Sequence, residues 1–119
     1  MNDSTFIKIA HLPAGQRGAI AAVTVEKVGG REAPIVQEEL IAAAAAAKWR
    51  LGVDLSGVTL LSSIGLGALV AIHKQCREQG GLLVVCGLGK ELQDILKLTH
   101  LDRILRIVKD CDAATKAIA

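Results

Sequence analysis

The chain has 119 residues, of which 14 are basic and 12 are acidic, so its formal net charge is only +2. This length is enough for one compact domain with one core and too short for two. The basic residues are scattered along the chain, and Phe6 and Trp49 are its only apolar aromatic residues. A nucleic-acid surface needs clustered positive charge and several stacking rings, so we expect no direct contact with nucleic acid.

Hydrophobic residues make up 51% of the sequence, but they occur in many short runs. No run approaches the roughly 20 apolar residues that span a bilayer, so we expect no membrane insertion. The polar start, Met1 to Thr5, lacks the basic and apolar segments of a secretory signal. These features predict a cytoplasmic protein.

The three cysteines, Cys76, Cys86 and Cys111, show neither Cys-x-x-Cys spacing nor a histidine at ligand spacing. Their number is odd, which does not suit a framework of paired disulfides. We therefore predict reduced thiols that pack as small apolar residues. The sequence indicates no metal site and no cofactor.

Runs of β-prone residues alternate with helical patterns along the whole chain. In chain order the predicted elements are strands over 6–12 and 19–28, a helix from Pro34 to about Lys48, a strand over 51–55, an apolar run over 58–61, a helix from Ile64 to about Gln79, a strand over 82–86, a helix from Lys90 to about Leu98, a strand over 104–108 and a helix from about Asp112 to Ala119. The Pro and Gly residues of 13–18 predict an N-terminal hairpin over about 6–28.

This alternation predicts an α/β domain with a mixed, partly parallel sheet and helices packed against it. Residues Leu82 to Cys86 are apolar at every position, which is typical of a central strand covered on both faces.

Motifs for catalysis are incomplete. The glycine pairs at 65/67 and 87/89 lack the spacing of a phosphate loop. Leu61 stands where the nucleophile elbow Gly-x-Ser-x-Gly needs its first glycine. His11, His73 and His100 have no carboxylate or cysteine at triad or ligand spacing, and His73, on the apolar stripe of its helix, is interpreted as a semi-buried side chain with satisfied hydrogen bonds. We predict no catalytic residues and no enzymatic activity.

The segment from Asp54 to Leu69, Asp-Leu-Ser-Gly-Val-Thr-Leu-Leu-Ser-Ser-Ile-Gly-Leu-Gly-Ala-Leu, resembles the signature of STAS domains. This family includes bacterial anti-sigma factor antagonists and the tails of sulfate transporters, and its signature joins a strand ending in Asp-Leu-Ser to a serine-containing turn that opens into Gly-Leu-Gly. The signature loop and helix cover about 54–79, and the similarity continues through 80–86 and 92–105, about 90 residues in all. The resemblance implies a single STAS-like domain over 1–119.

The resemblance also implies a function, that of an anti-sigma factor antagonist. Such a protein sequesters an anti-sigma factor and so regulates sigma-factor-dependent transcription. In members that act as phosphorylation switches, the serine before x-Gly-Leu-Gly is phosphorylated by an anti-sigma factor that is itself a serine kinase of the ATP-binding type, and a serine phosphatase is a further implied partner. That serine corresponds to Ser63, with Ser62 as the alternative acceptor. The partner-binding residues implied in the same way are Glu32, Ser62, Ser63, Ile64, Gly65 and Leu66.

Two interpretations of Ser63 stay open at this stage. A serine just before a helix suits a phosphate, because free backbone N–H groups and the helix dipole favour negative charge. A serine at such a place is also a common N-cap, bonded to the N2 or N3 amide. The family often has acidic residues immediately before the phosphoserine and before helix 1; here Ser62 and Ala33 stand there, with Glu32 as a neighbouring carboxylate.

A second function fits the same resemblance. STAS domains also serve as accessory subunits of membrane lipid or solute ABC transporters, where the domain docks on the ATPase. Proteins with both functions have this fold, so the fold alone does not distinguish an anti-sigma factor antagonist from a transporter subunit.

Overall fold

A computed structural model describes residues 6–12 and 18–118. Most of the predicted hairpin turn, Pro13 to Arg17, and the predicted end of the last helix, Ala119, lie outside these residues. The strands are β1 (Ile7–His11), β2 (Ala19–Val23), β3 (Lys27–Val28), β4 (Arg50–Asp54), β5 (Leu60–Leu61), β6 (Leu82–Cys86) and β7 (Arg106–Val108). The helices are α1 (Glu32–Ala46), α2 (Ser63–Glu78), α3 (Lys90–Leu98) and α4 (Cys111–Ile118), with one 3-10 turn at Leu101–Arg103.

The main sheet has five strands in the order β1-β2-β4-β6-β7. Strands β1 and β2 are antiparallel, with Ile7 opposite Val23, which confirms the predicted hairpin pairing. The other neighbouring strands are parallel. Parallel neighbours need crossover connections, and α1, α2 and α3 supply them, so the predicted mixed α/β sheet is confirmed.

Helices cover both faces of this sheet. On one face α1, α2 and α3 contribute to the larger core, which includes the fully buried side chains of Leu40, Ile72 and Leu96. On the other face α4 packs on Ile20 and Val84 through Ala114 and Ile118. In β6 successive side chains enter the two cores in turn, and residues 83–86 are almost completely inaccessible. The prediction that this strand is covered on both faces is confirmed, although β6 is an interior strand between β4 and β7 and the middle strand of the sheet is β4.

The predicted strand over 19–28 is in fact two strands. The N–H of Thr24 still donates to the carbonyl of Phe6 at 2.8 Å, and the chain then leaves the main sheet. Lys27 and Val28 instead pair with Leu60 and Leu61 in a separate two-stranded parallel sheet. The β-propensity of the run is continuous, and propensity does not reveal that the pairing partner changes partway along.

Element boundaries also differ from the prediction. Helix α1 begins at Glu32, before Pro34, because the N–H of Ala33 already donates to the carbonyl of Gly29 at 2.9 Å. Proline is still tolerated there, since the first turn of a helix does not use its N–H. The last strand is limited to Arg106–Val108, because the N–H of Leu105 closes a turn onto the carbonyl of Leu101 at 2.8 Å.

The expectation for His73 was wrong in one respect. The side chain is buried, but its Nδ1 has no hydrogen-bond partner within the described residues. Its helix directs it into an apolar core, where burial, and then the nearby charge of Arg77, lowers the pKa of His73 below 6.5.

No helix in the described part of the chain has the length and apolar character needed to cross a bilayer.

Candidate partner-binding and phosphorylation site

The predicted site lies where the small sheet meets the start of α2. Val28 of β3 pairs with Leu61 of β5, the last strand residue before the two serines. The N–H of Ser62 then donates to the carbonyl of Val28 at 2.9 Å, so the pairing extends one residue beyond β5. This fixes the backbone immediately before the helix.

Ser62 is the N-cap of α2. Its backbone is extended, with φ −71° and ψ 171°, and its Oγ accepts a hydrogen bond from the N–H of Gly65 at 3.1 Å. Its carbonyl accepts the N–H of Leu66 at 2.9 Å, the first bond of the helix. A serine was expected to cap this helix, but the residue is Ser62, one position before the predicted Ser63.

Ser63 is the first residue of α2 and is exposed. Its hydroxyl forms no hydrogen bond within the described residues. Two exposed apolar side chains lie near it in the chain: Ile64, the next residue, at 56% exposure, and Leu60, three residues earlier on β5, at 47%. We call Leu60, Ser63 and Ile64 together the Ser63 surface. It combines a free hydroxyl with apolar side chains that water surrounds.

Gly65 and Leu66 lie beneath this surface. Leu66 is 8% exposed and belongs to the larger core. A Cβ atom at Gly65 would lie 3.1 Å from the carbonyl oxygen of Val28 and 3.3 Å from a methyl group of Leu61. The helix therefore starts in close contact with the small sheet, and these two residues set the position of the Ser63 surface without facing solvent.

The loop before α1 borders the same surface. A Cβ at Gly30 would lie 3.4 Å from the Cδ1 of Ile64, so the two loops are neighbours. The carboxylate of Glu32 is half-buried and accepts the N–H of Gly29 at 3.0 Å, which holds this loop in shape. Ala33, at 1% exposure, is part of the core. The loop that the Glu32 carboxylate holds therefore lies beside Ile64, the residue after Ser63.

The first turn of α2 carries no acidic side chain. The positive end of the helix dipole therefore faces Ser63, and no carboxylate of α2's own first turn opposes added negative charge there. Across the loop, Arg31 is exposed at the start of α1. The dipole of α2 is thus the feature of the described structure that favours an anion at Ser63.

A separate cluster at the carboxyl ends of β4 and β6 was not foreseen. Ligand atoms of Asp54, Cys86 and Cys111 all lie within 4.8 Å of one another, and the two Sγ atoms are 3.9 Å apart. Burial, and then the neighbouring Cys111, raises the pKa of Cys86 to about 12. Sequence spacing missed this cluster because parallel pairing places Asp54 beside Cys86 and α4 then begins at Cys111. One local sequence signal was present: Asp54 and Cys86 end their strands, and Cys111 begins its helix.

Comparison with known proteins identifies related chains. The model of the STAS domain family matches residues 27–114. A Thermotoga maritima protein described as a candidate anti-sigma factor antagonist is 31% identical over 64 residues, which are 54% of this chain and 57% of that protein. The alignment thus spans little more than half of that relative.

Solved structures have the same fold at low sequence identity. A crystal structure of a candidate anti-sigma factor antagonist from Thermotoga maritima has a TM-score of 0.79 at 19% identity, covering 94% of this chain and 93% of that one. The Bacillus cell fate determinant SpoIIAA in its phosphorylated form has a TM-score of 0.66 at 8% identity, covering 93% of this chain and 98% of that one.

Proposed function

The chain belongs to the STAS domain family, and on this basis we propose that it is an anti-sigma factor antagonist switched by phosphorylation of Ser63. In the unmodified state it binds an anti-sigma factor through the Ser63 surface. Glu32 borders the contact, and Gly65 and Leu66 support it from below. The observation that carries the proposal is the exposed Ser63 hydroxyl, free of the helix cap and with exposed apolar side chains near it in the chain.

The apolar side chains supply the binding energy in this proposal. Ile64 is more than half exposed at the first turn of a rigid helix, and Leu60 is nearly half exposed on β5. An apolar side chain held in place by secondary structure loses little entropy when a partner covers it, and its burial stabilises the complex. The protein itself acts as a binding module and needs no catalytic group.

Ser63 is a better acceptor than Ser62. The Oγ of Ser62 already accepts from Gly65, and the side chain is half-buried, so a phosphate there would break the cap. The exposed hydroxyl of Ser63 is accessible to a kinase. A phosphate at this position carries close to two negative charges, which the start of α2 tolerates. The solved phosphorylated form of a STAS-fold neighbour supports a phosphorylation switch on this fold.

Phosphorylation would release the partner for an electrostatic reason. The complex buries the Ser63 surface, and a dianion in the middle of an apolar contact loses its hydration without gaining a counter-charge. The fold survives because the charge lies outside the core. The anti-sigma factor, as a serine kinase, adds the phosphate, and a serine phosphatase restores the binding form.

A pull-down from the native cell tests this function, with mass spectrometry of the bound proteins and of phosphoserine in the bait. We expect an anti-sigma factor with a kinase domain to be recovered, and phosphate to be found at Ser63. Ser63→Ala bait is the matched control, which should retain the partner and lack the phosphate. Recovery of a transporter ATPase instead would favour the accessory-subunit function and contradict the proposal.

A further inference from the structure

The cluster of Asp54, Cys86 and Cys111 has the composition and the size of a metal centre. Each of the three residues offers one ligand atom, and all three atoms lie within 4.8 Å of one another. Cys86 is fully buried, while Asp54 and Cys111 are half-buried, so the cluster is at the base of a surface depression. This site is distinct from the Ser63 surface and plays no part in the function proposed above.

The two sulfur atoms are in hydrogen-bond contact, at a separation that two ligands of one tetrahedral ion also have. Two thiolates at about 2.3 Å from a tetrahedral zinc ion lie about 3.8 Å apart. The observed separation of the Sγ atoms of Cys86 and Cys111 is 3.9 Å. A disulfide needs about 2.05 Å between the same atoms, so the two cysteines are free thiols, and a shared ion would need little change in their separation.

We propose that Asp54, Cys86 and Cys111 form a zinc-binding site, with the fourth coordination position open to the adjoining groove. Two thiolates and one carboxylate suit zinc, whereas calcium and magnesium prefer oxygen ligands alone. On binding, the two thiols lose their protons to solvent and the ion replaces them. Zinc would thereby join the start of α4 to the ends of β4 and β6. This departs from the expectation drawn from cysteine spacing, which detects only ligands close in sequence.

The surroundings of the cluster support this assignment. The Oδ1 of Asp54 accepts the N–H of Ser56 at 2.9 Å, which orients the carboxylate beside the two thiols. Gly87 has φ +73°, and a Cβ there would lie 2.5 Å from that same Oδ1, so only glycine allows the chain to pass. Cys111 is the first residue of α4, so the start of that helix places its side chain beside Asp54 and Cys86.

The open position faces a groove of about 430 Å³. Asp54 and Cys111 line one part of it, and Lys8, Ile20 and Thr115 are among the residues that line the rest. A water molecule or a ligand atom has room to complete the tetrahedron from this side. Three protein ligands with one exchangeable position is the arrangement of accessible zinc sites.

The test is a titration of the full-length, reduced, metal-free protein with zinc alone, followed by metal analysis after dialysis. We expect one zinc per chain. Cys111→Ser nearly preserves the volume of a half-buried side chain and should weaken binding by at least about 100-fold, more than is typical when a residue that only hydrogen-bonds a metal ligand is changed. Asp54→Asn keeps the acceptor for Ser56 and should weaken binding by about 10-fold or more. At saturating cobalt the protein should give the intense ultraviolet band of thiolate coordination, and Cys111→Ser, which retains only the Cys86 thiolate, should give a weaker one.

Cys76→Ala is the matched control, because Cys76 is a buried cysteine outside the cluster. It should bind zinc as the wild type does, and melting curves verify that each variant is folded. Absence of stoichiometric zinc would overturn the proposal. So would equal affinity in Cys111→Ser and wild type, or a Cys86–Cys111 disulfide in freshly purified native protein.

Discussion

The hydroxyl of Ser62 accepts the N–H of Gly65 at 3.1 Å, so it is Ser62 that caps α2. The adjacent Ser63 is exposed and free of that bond. Two consecutive serines therefore have different roles, one holding the helix start and one presenting a hydroxyl to solvent. The proposed switch depends on this division, because a modification at Ser63 leaves the cap intact.

Unfolding experiments separate the two roles. Ser62→Ala should lower the free energy of unfolding by about 1 kcal/mol, because the N–H of Gly65 loses its acceptor. Ser63→Ala should change it by less than about 0.5 kcal/mol, as expected of an exposed side chain without a hydrogen bond. Urea denaturation of the two variants and wild type provides the comparison. If both variants lost the same free energy of unfolding, the assignment of Ser62 as the sole N-cap of α2 would be wrong.

Two glycines of α2 should respond to alanine with opposite signs. A Cβ at Gly67 meets nothing within 4 Å, so Gly67→Ala should stabilise the protein by about 0.5 to 1 kcal/mol through helix propensity. A Cβ at Gly65 would press on the Val28 carbonyl at 3.1 Å, so Gly65→Ala should destabilise by about 1 to 3 kcal/mol. Thermal melts of both variants test the packing of the helix start. Stabilisation by both would contradict the close contact with β3.

Val84→Asp should prevent folding. Val84 is 0% exposed in the interior strand β6, and an aspartate there would be a buried, unpaired charge. Arg106→Asp is the control, since Arg106 pairs with Val84 across the sheet but is exposed. It should remain soluble and melt cooperatively. A cooperatively melting Val84→Asp protein would be inconsistent with the sheet order described above.

His73 should make stability depend on pH. Its folded pKa is below the unfolded value of 6.5, so the unfolded chain binds the proton more readily. Stability should therefore fall as the pH drops from 6.5 to the folded pKa, and this contribution should level off below it. The measurement is the free energy of unfolding between pH 8 and pH 5 for wild type and His73→Leu, which lacks the titrating group. An identical pH dependence in both proteins would contradict a buried, neutral His73.

Much of the fold was predictable because it depends on local signals. The hairpin pairing of β1 with β2, the helices between parallel strands and the fully apolar β6 all follow from periodicity and turn residues. The split of 19–28 was not predictable, since Lys27 and Val28 join a second sheet whose other strand lies more than thirty residues away.

The location of the two serines before α2 was predictable, but their hydrogen bonding was not. The family signature pointed to the turn before α2, whereas the choice of Ser62 as cap depends on a single hydrogen-bond geometry. Burial of Leu66 likewise follows from how α2 packs on the core. The cluster of Asp54, Cys86 and Cys111 could not be foreseen, because strand register and the position of α4 bring it together.

The most direct test of the central claim is calorimetric titration of the captured anti-sigma factor into wild type, Ser63→Ala and Ser63→Asp. Ser63→Ala should bind as wild type does. Ser63→Asp should lose about 2 to 5 kcal/mol of binding free energy, because it places a charge in a desolvated contact, while its melting curve stays unchanged. Equally tight binding by a folded Ser63→Asp protein would contradict the assignment of Ser63 as the switch.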